Sequence, residues 1–182
     1  MSENEFDVII IGGGPAGLSA ALWCDELGLD AVLIESGNEL GGQLLWTFNE
    51  IENHLGVSAK NGLELRDGFL SQIESRKFTK VLGAKIKEVD FDSNSVTLES
   101  GQAYRGKYIV IATGVSRRAL GIDGEKEFQG KGILLSGKRD KELVRDKVVV
   151  IIGGGDAAFE NTQILSETAK KVILIHRRNE FS

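Results

Sequence analysis

One pattern is written twice in this chain. Residues 8–35, VIIIGGGPAGLSAALWCDELGLDAVLIE, overlie residues 149–176, VVIIGGGDAAFENTQILSETAKKVILIH, without a gap. Each copy runs from a short apolar strand through a glycine turn into a segment of helical period, then into a second apolar strand. That order is a βαβ unit. On the first helix Leu18, Ala21, Leu22 and Leu29 are expected on one side. On the second, Phe159, Thr162, Ile164 and Leu165 fall together less cleanly. The chain is therefore expected to be α/β, with two Rossmann-like units of three-layer ββα build.

The glycines say what such units hold. In the first copy Gly12 permits a tight turn, Gly14 lets the backbone approach a pyrophosphate, and Gly17 lets the helix pack closely on the strand. The helix amino terminus then faces the phosphates. Gly153, Gly155 and Ala158 form the second set. A lone GxGxxG is a weak signal. Here each set follows a strand, opens a helix, and precedes a strand ending 23 residues after the first glycine (12 to 35, 153 to 176), which is the context that confirms a dinucleotide-binding motif.

The copies part where the second strand ends. Glu35 is an acceptor suited to the ribose hydroxyls of an adenosine. Its counterpart is His176, followed by Arg177 and Arg178 opposite Ser36 and Gly37. A carboxylate excludes a 2′-phosphate, whereas cations make charge-assisted hydrogen bonds to one. The arginines read as an NADPH 2′-phosphate clamp, the alternative being two solvated cations at a strand end.

Between the copies, Gly41–Leu44 (GGQL) is a flexible turn ending near an amide that can bond a heterocycle edge, and Asn53 is a second such amide. Leu63, Leu65, Phe69, Leu70 and Ile73 mark an amphipathic helix. KIKEVDF and SVTLES, separated at DSNS, read as a β-hairpin, and KYIVIATG as a buried strand that returns to the first sheet. Thr113 and Gly114 should then lie near the nucleotide. The segment 115–132 links the halves, dividing the chain into residues 1–114 and 115–182.

Composition excludes several classes. With 182 residues, 41% of them apolar, and one proline, the chain has room for a full domain and more. Its 22 basic against 27 acidic residues, net −5, give no electrostatic footprint for nucleic acid. The most basic stretch, Lys131–Lys147, reads as a solvated surface before a dock for an acidic partner. The apolar run VIII is too short for a signal peptide or membrane span, so a cytoplasmic protein is expected. Cys24 is the only cysteine and rules out an intrachain disulfide, a CxxC pair or a cysteine-built zinc site. Placed mid-helix, it reads as packing.

The motifs GGGPAG, GGQL, EIEN, IVIATG, GKGI, GGGDAAFE and LIHRR stand in the order and spacing of the low-molecular-weight thioredoxin reductases, which the chain resembles over residues 6–181. The resemblance implies an FAD domain carrying an inserted NADPH domain, a homodimer, and hydride flow from NADPH to flavin to a dithiol. Around FAD it implies Gly12, Gly14, Pro15, Ala16, Gly17, Glu35, Gly42, Gln43, Asn53, Ile86 through its backbone, and Gly114. For NADPH it implies Gly153, Gly155, Asp156, Ala157, Ala158, His176, Arg177 and Arg178.

Two departures qualify it. Where the family carries Cys-x-x-Cys-Asp, this chain reads Ser136-Gly137-Lys138-Arg139-Asp140. Asp140 is the candidate proton donor, the alternative being a solvent-facing acid in a basic loop. His54, where relatives carry a bulky apolar residue, reads as structural or exposed. The family also continues past the arginines, through the rest of its NADPH domain and back to a Gly-Asp motif at the flavin. The second unit is thus expected to be incomplete, with open strand edges and one uncovered face. The expectation is an FAD-dependent, NADPH-oxidising enzyme without its own dithiol. Its acceptor would be a ferredoxin-, flavodoxin- or quinone-like partner or an outside disulfide. The alternative is a silent dinucleotide-binding module or half of a split flavoprotein.

Overall fold

Four β-branched residues in a row, Val8 to Ile11, cannot pack as a surface strand, and they form the centre of strand β1 (Glu5–Ile11). In the computed structural model, which describes residues 4–116 and 118–178, the chain divides into two units, Met1–Ser116 and Arg117–Ser182. In the first, β1 is flanked by two parallel neighbours, β2 (Ala31–Ile34) and the strand Ala103–Ile111 that returns late in the unit. A short strand β3 (Thr79–Val81) adds a parallel edge beside β2. The hairpin β4 (Ile86–Asp90) and β5 (Ser95–Leu98) pairs antiparallel with the first residues of the returning strand, β6. The order is β3-β2-β1-β6-β5-β4.

Side chains alternate along a strand, so one sheet builds two cores. Ile9, Ile11, Val32 and Ile34 point toward Val96 and Leu98 of the hairpin and Tyr104 at the start of β6. Val8, Ile10, Ala31 and Leu33 point the other way, onto helices α1 (Pro15–Glu26) and α2 (Gly62–Ile73). Each fully buried isoleucine or leucine contributes about 1.5–3 kcal/mol. Helix α2 starts in a reciprocal cap. Asn61 Oδ1 accepts from the Glu64 N–H at 3.0 Å, and Glu64 Oε2 accepts from the Lys60 N–H at 2.6 Å.

The ββα layering matches the sequence expectation, with corrections in detail. The buried face of α1 is Gly17, Leu18, Ala21 and Cys24, with Leu22 half-buried. Leu29 lies beyond the helix and is exposed, because Gly28 at φ +70° ends it. Leu63 is also exposed. Strand β6 is half-buried and not a fully buried strand: Tyr108 stands 70% exposed.

The second unit holds β7 (Val148–Ile152) and β8 (Lys171–Ile175), parallel and joined by a helix. A short helix α3 (Gly137–Asp140) precedes them, and the joining helix is α4 (Asp156–Ser166). Helix α4 buries Ala158 and Leu165. Phe159 is 42% exposed and does not join that face. Val148, Val150, Ile152 and Ile175 are exposed on the other side of the two strands. Among the described residues no helix is long and apolar enough to cross a membrane. Residues 1–3 of the acidic amino terminus lie outside the described residues.

Candidate functional site

In the first unit three turns converge beyond the carboxyl ends of β1, β2 and β6. Gly12, at φ +107°, donates its N–H to the Ile34 carbonyl at 2.8 Å. A Cβ on it would stand 2.8 Å from the carbonyl carbon of Ala112 and 3.2 Å from Cα of Thr113, so the glycine turn is pressed against the turn after β6. A Cβ on Gly17 would overlap the Gly12 carbonyl group. Only glycine permits that closeness. Gly14 is the N-cap of α1 and Pro15 opens the helix, with no side-chain cap and no acidic residue in the first turn. The first N–H groups of α1 are thus left for an incoming acceptor.

The Gly41–Leu44 turn closes over this loop. The Gly41 N–H donates to the Gly13 carbonyl at 2.8 Å, and a Cβ on Gly42, at φ +52°, would stand 2.9 Å from Gly14 Cα. Gln43 Nε2 donates to the Val115 carbonyl at 2.5 Å, tying this turn to the one containing Gly114 at φ +65°. Glu35 completes the ring. Its Oε2 accepts from the Gly13 N–H at 2.7 Å, and its Oε1 accepts from the Gly37 N–H at 2.7 Å and the Ser36 hydroxyl at 3.1 Å.

Gly12, Gly14, Gly17, Glu35, Gly42, Gln43 and Gly114 are therefore brought together. Pro15 and Ala16 are exposed at the helix start. Ile86 opens β4 two residues after Ala84, whose N–H donates to the Glu35 carbonyl at 3.0 Å. Asn53 sits on an exposed segment pinned at its base by the Ile51–Ala59 bridge. Its neighbour His54 is exposed and tilts against Phe69 at 5.7 Å, beside a cleft of about 250 Å³ that Pro15 and Leu18 also line.

The second unit repeats the cradle with a looser fit. Gly153, at φ +149°, donates to the Ile175 carbonyl at 3.0 Å, and a Cβ on it would stand 3.1 Å from the real Cβ of Ala158. Gly155 caps α4, and Asp156 and Ala157 are exposed in its first turn. His176 is half-buried, and Arg177 and Arg178 are exposed. In both copies the residue just after the second strand lies on the middle glycine of the loop, Glu35 on Gly13 and His176 on Gly154. Those two middle glycines were not singled out by the GxGxxG reading. The triple glycine in each copy was the signal.

Asp140 is not a solvent-facing acid. It is 4% exposed, accepts from Arg139 Nε at 2.6 Å and Nη2 at 2.9 Å, and accepts from the Ser136 N–H at 3.4 Å. The Arg139 guanidinium holds its carboxyl below the usual carboxylate range, which favours the anion over a proton donor. Ser136 Oγ caps α3 by accepting from the Arg139 N–H, and Asn161 Oδ1 accepts from the Gly137 N–H at 2.8 Å, fixing α3 on α4. Elsewhere in the basic stretch Lys141 pairs with Glu167 and Arg145 with Glu142. Cys24 is buried, and burial pushes its thiol pKa up.

Comparison with known proteins bears on the whole chain. The profile of the pyridine nucleotide-disulphide oxidoreductases matches residues 6–182. The thioredoxin reductase of Peptoclostridium acidaminophilum is 37% identical over 180 residues, which are 98% of this chain and 56% of that protein. A ferredoxin–NADP reductase of Limosilactobacillus fermentum is 38% identical over 186 residues, with 98% and 56% covered. The crystal structure of Lactococcus lactis thioredoxin reductase in its FR conformation superposes with a TM-score of 0.78 at 31% identity, covering 97% of this chain and 57% of that one. The chain thus spans a little over half the length of the relatives it matches.

Proposed function

The chain belongs to the pyridine nucleotide-disulphide oxidoreductase family, and on that premise we propose that it serves an NADPH-dependent flavin oxidoreductase, with FAD on the first unit and NADPH on the second. The observation that carries this reading is one cradle built twice with opposite charge at its rim. Gly12, Gly14 and Gly17 keep side chains out of the space a pyrophosphate needs. Glu35 Oε2 accepts a single hydrogen bond and keeps a lone pair for a ribose hydroxyl. In the second copy no carboxylate stands there, and Arg177 and Arg178 supply the fork that suits a 2′-phosphate. The chemistry that such a pair of cofactors supplies is hydride transfer, and the protein's share is to bind and orient them.

The acceptor is a molecule other than a dithiol of these residues. Ser136 and Arg139 hold no sulfur, and the one thiol, Cys24, is buried and disfavoured as a thiolate. Disulfide reduction needs an attacking and a resolving thiol. The likeness to a ferredoxin–NADP reductase supports an electron-carrier protein as the acceptor. A cytoplasmic setting and a homodimer belong to the same proposal. Asp140 enters it as a positioning group for α3.

The test is a titration of the chain with FAD, followed anaerobically by NADPH or NADH. Saturable flavin binding weakened by Glu35→Ala, with bleaching faster for NADPH and unaffected by Cys24→Ser, is the expected result. Flavin binding indifferent to Glu35 would overturn it in favour of a silent module, and none at all in favour of half of a split flavoprotein.

A further inference from the structure

Gly154 is buried, and its φ lies outside the left-handed region, so its backbone places no demand for glycine. The demand comes from a neighbour. A Cβ there would stand 2.5 Å from Cε1 and 2.6 Å from Cγ of His176, and closer still to Nδ1. Real Cβ atoms do not approach that near, so a methyl group at 154 and the imidazole cannot share the space. At the corresponding Gly13 the severe contact is with Leu40 Cδ2 at 2.5 Å, the far end of a flexible side chain that can turn away; Glu35 Oε2 at 3.1 Å and Glu35 Cβ at 3.2 Å are only tight. The imidazole is a rigid ring one carbon from its backbone and has less freedom to yield.

We propose that Gly154 is a specificity-positioning residue of the second site, a role that rests on the reading of Arg177 and Arg178 as a 2′-phosphate clamp. The bare Cα seats the His176 ring flat on the glycine loop. That contact fixes the chain as it leaves β8, and the two arginines follow directly. The ring also fills the place that Glu35 takes in the first copy, so the strand end presents an imidazole there and not a carboxylate. A side chain at 154 evicts the ring and carries the arginines out of register. Nucleotides lacking the 2′-phosphate use the glycine loop alone and are affected less.

The experiment measures binding of 2′,5′-ADP and 5′-AMP, which report this half of the site, to the full chain. It compares wild type, Gly154→Ala, His176→Ala and the double variant. Gly154→Ala should weaken 2′,5′-ADP by about ten-fold, the loss of one charge-assisted contact, while 5′-AMP changes little. In the His176→Ala background the same substitution should have little effect, because the clash is gone. The chain has two histidines, so the His176 ring resonance, assigned with a His54 variant, should move in Gly154→Ala without any nucleotide. A ten-fold loss that persists undiminished without His176, or a preference unchanged while the resonance moves, overturns the proposal. A wild-type chain that binds both nucleotides equally defeats the clamp reading as well, which separates the two failures.

Discussion

Residues 8–35 and 149–176 build the same strand, glycine turn, helix and strand, yet Leu18 is 2% exposed and its counterpart Phe159 is 42% exposed. The difference is not in the repeat. In the first unit α2 and Leu40 pack on that face of α1, whereas the second unit's other α-helix among the described residues, α3, has only four residues. The glycine cradle forms in both settings. Its conformation is thus dictated locally, by glycine φ and strand pairing, while burial is conferred by what surrounds it. Binding specificity is a third layer again, set by one to three residues at the end of the second strand.

Substitutions at matched positions should affect the two copies differently. Leu165 and Cys24 occupy the same place on α4 and α1, and both are buried. Leu165→Ala should cost about 2–5 kcal/mol in urea unfolding, and Cys24→Ala about 1 kcal/mol. Equal losses would show that the two helices do not seat alike. Next comes the helix–loop contact. Gly17→Ala drives a methyl group into the Gly12 carbonyl and should cost about 1–3 kcal/mol, whereas Ala158→Gly should cost at most about 1 kcal/mol through helix propensity. If Gly17→Ala is as mild as Ala158→Gly, the tighter first cradle is not a real distinction.

A smaller effect separates the units by pH. The Arg139–Asp140 pair holds the Asp140 carboxyl below its ordinary value, so the folded pKa lies under the unfolded one, about 3.9. Its stabilisation is complete above the unfolded value and is lost as pH falls through the folded one. Asp140→Asn should therefore lower stability at neutral pH and change it less in acid. A cost that is the same at both pH values would mean that the charge pair contributes nothing.

Much of this was legible because it is local. The glycine spacing, the β-branched run of Val8 to Ile11 and the DSNS turn each fix backbone geometry within a few residues. What was not legible depends on distant partners. Strand β3 has three residues and no pattern of its own, and it exists because β2 offers an edge. The burial of Asp140 needs Asn161, 24 residues from Gly137, to hold α3 on α4. Leu29 does not join the buried face because α1 stops at Glu26 and Gly28 turns the chain away, a stop that periodicity overlooks.

One cradle is suited to two nucleotides because its strand end changes from Glu35 to His176, Arg177 and Arg178. The most direct measurement replaces Arg177 and Arg178 with the first copy's Ser and Gly and compares affinity for 2′,5′-ADP and 5′-AMP at two salt concentrations. Each charge-assisted contact is worth roughly 1.5–3 kcal/mol, or about ten- to a hundred-fold. The preference for 2′,5′-ADP should collapse while 5′-AMP affinity stays intact. An unchanged ratio, with both affinities moving together and both equally relieved by salt, would mean that the arginines are only surface charges.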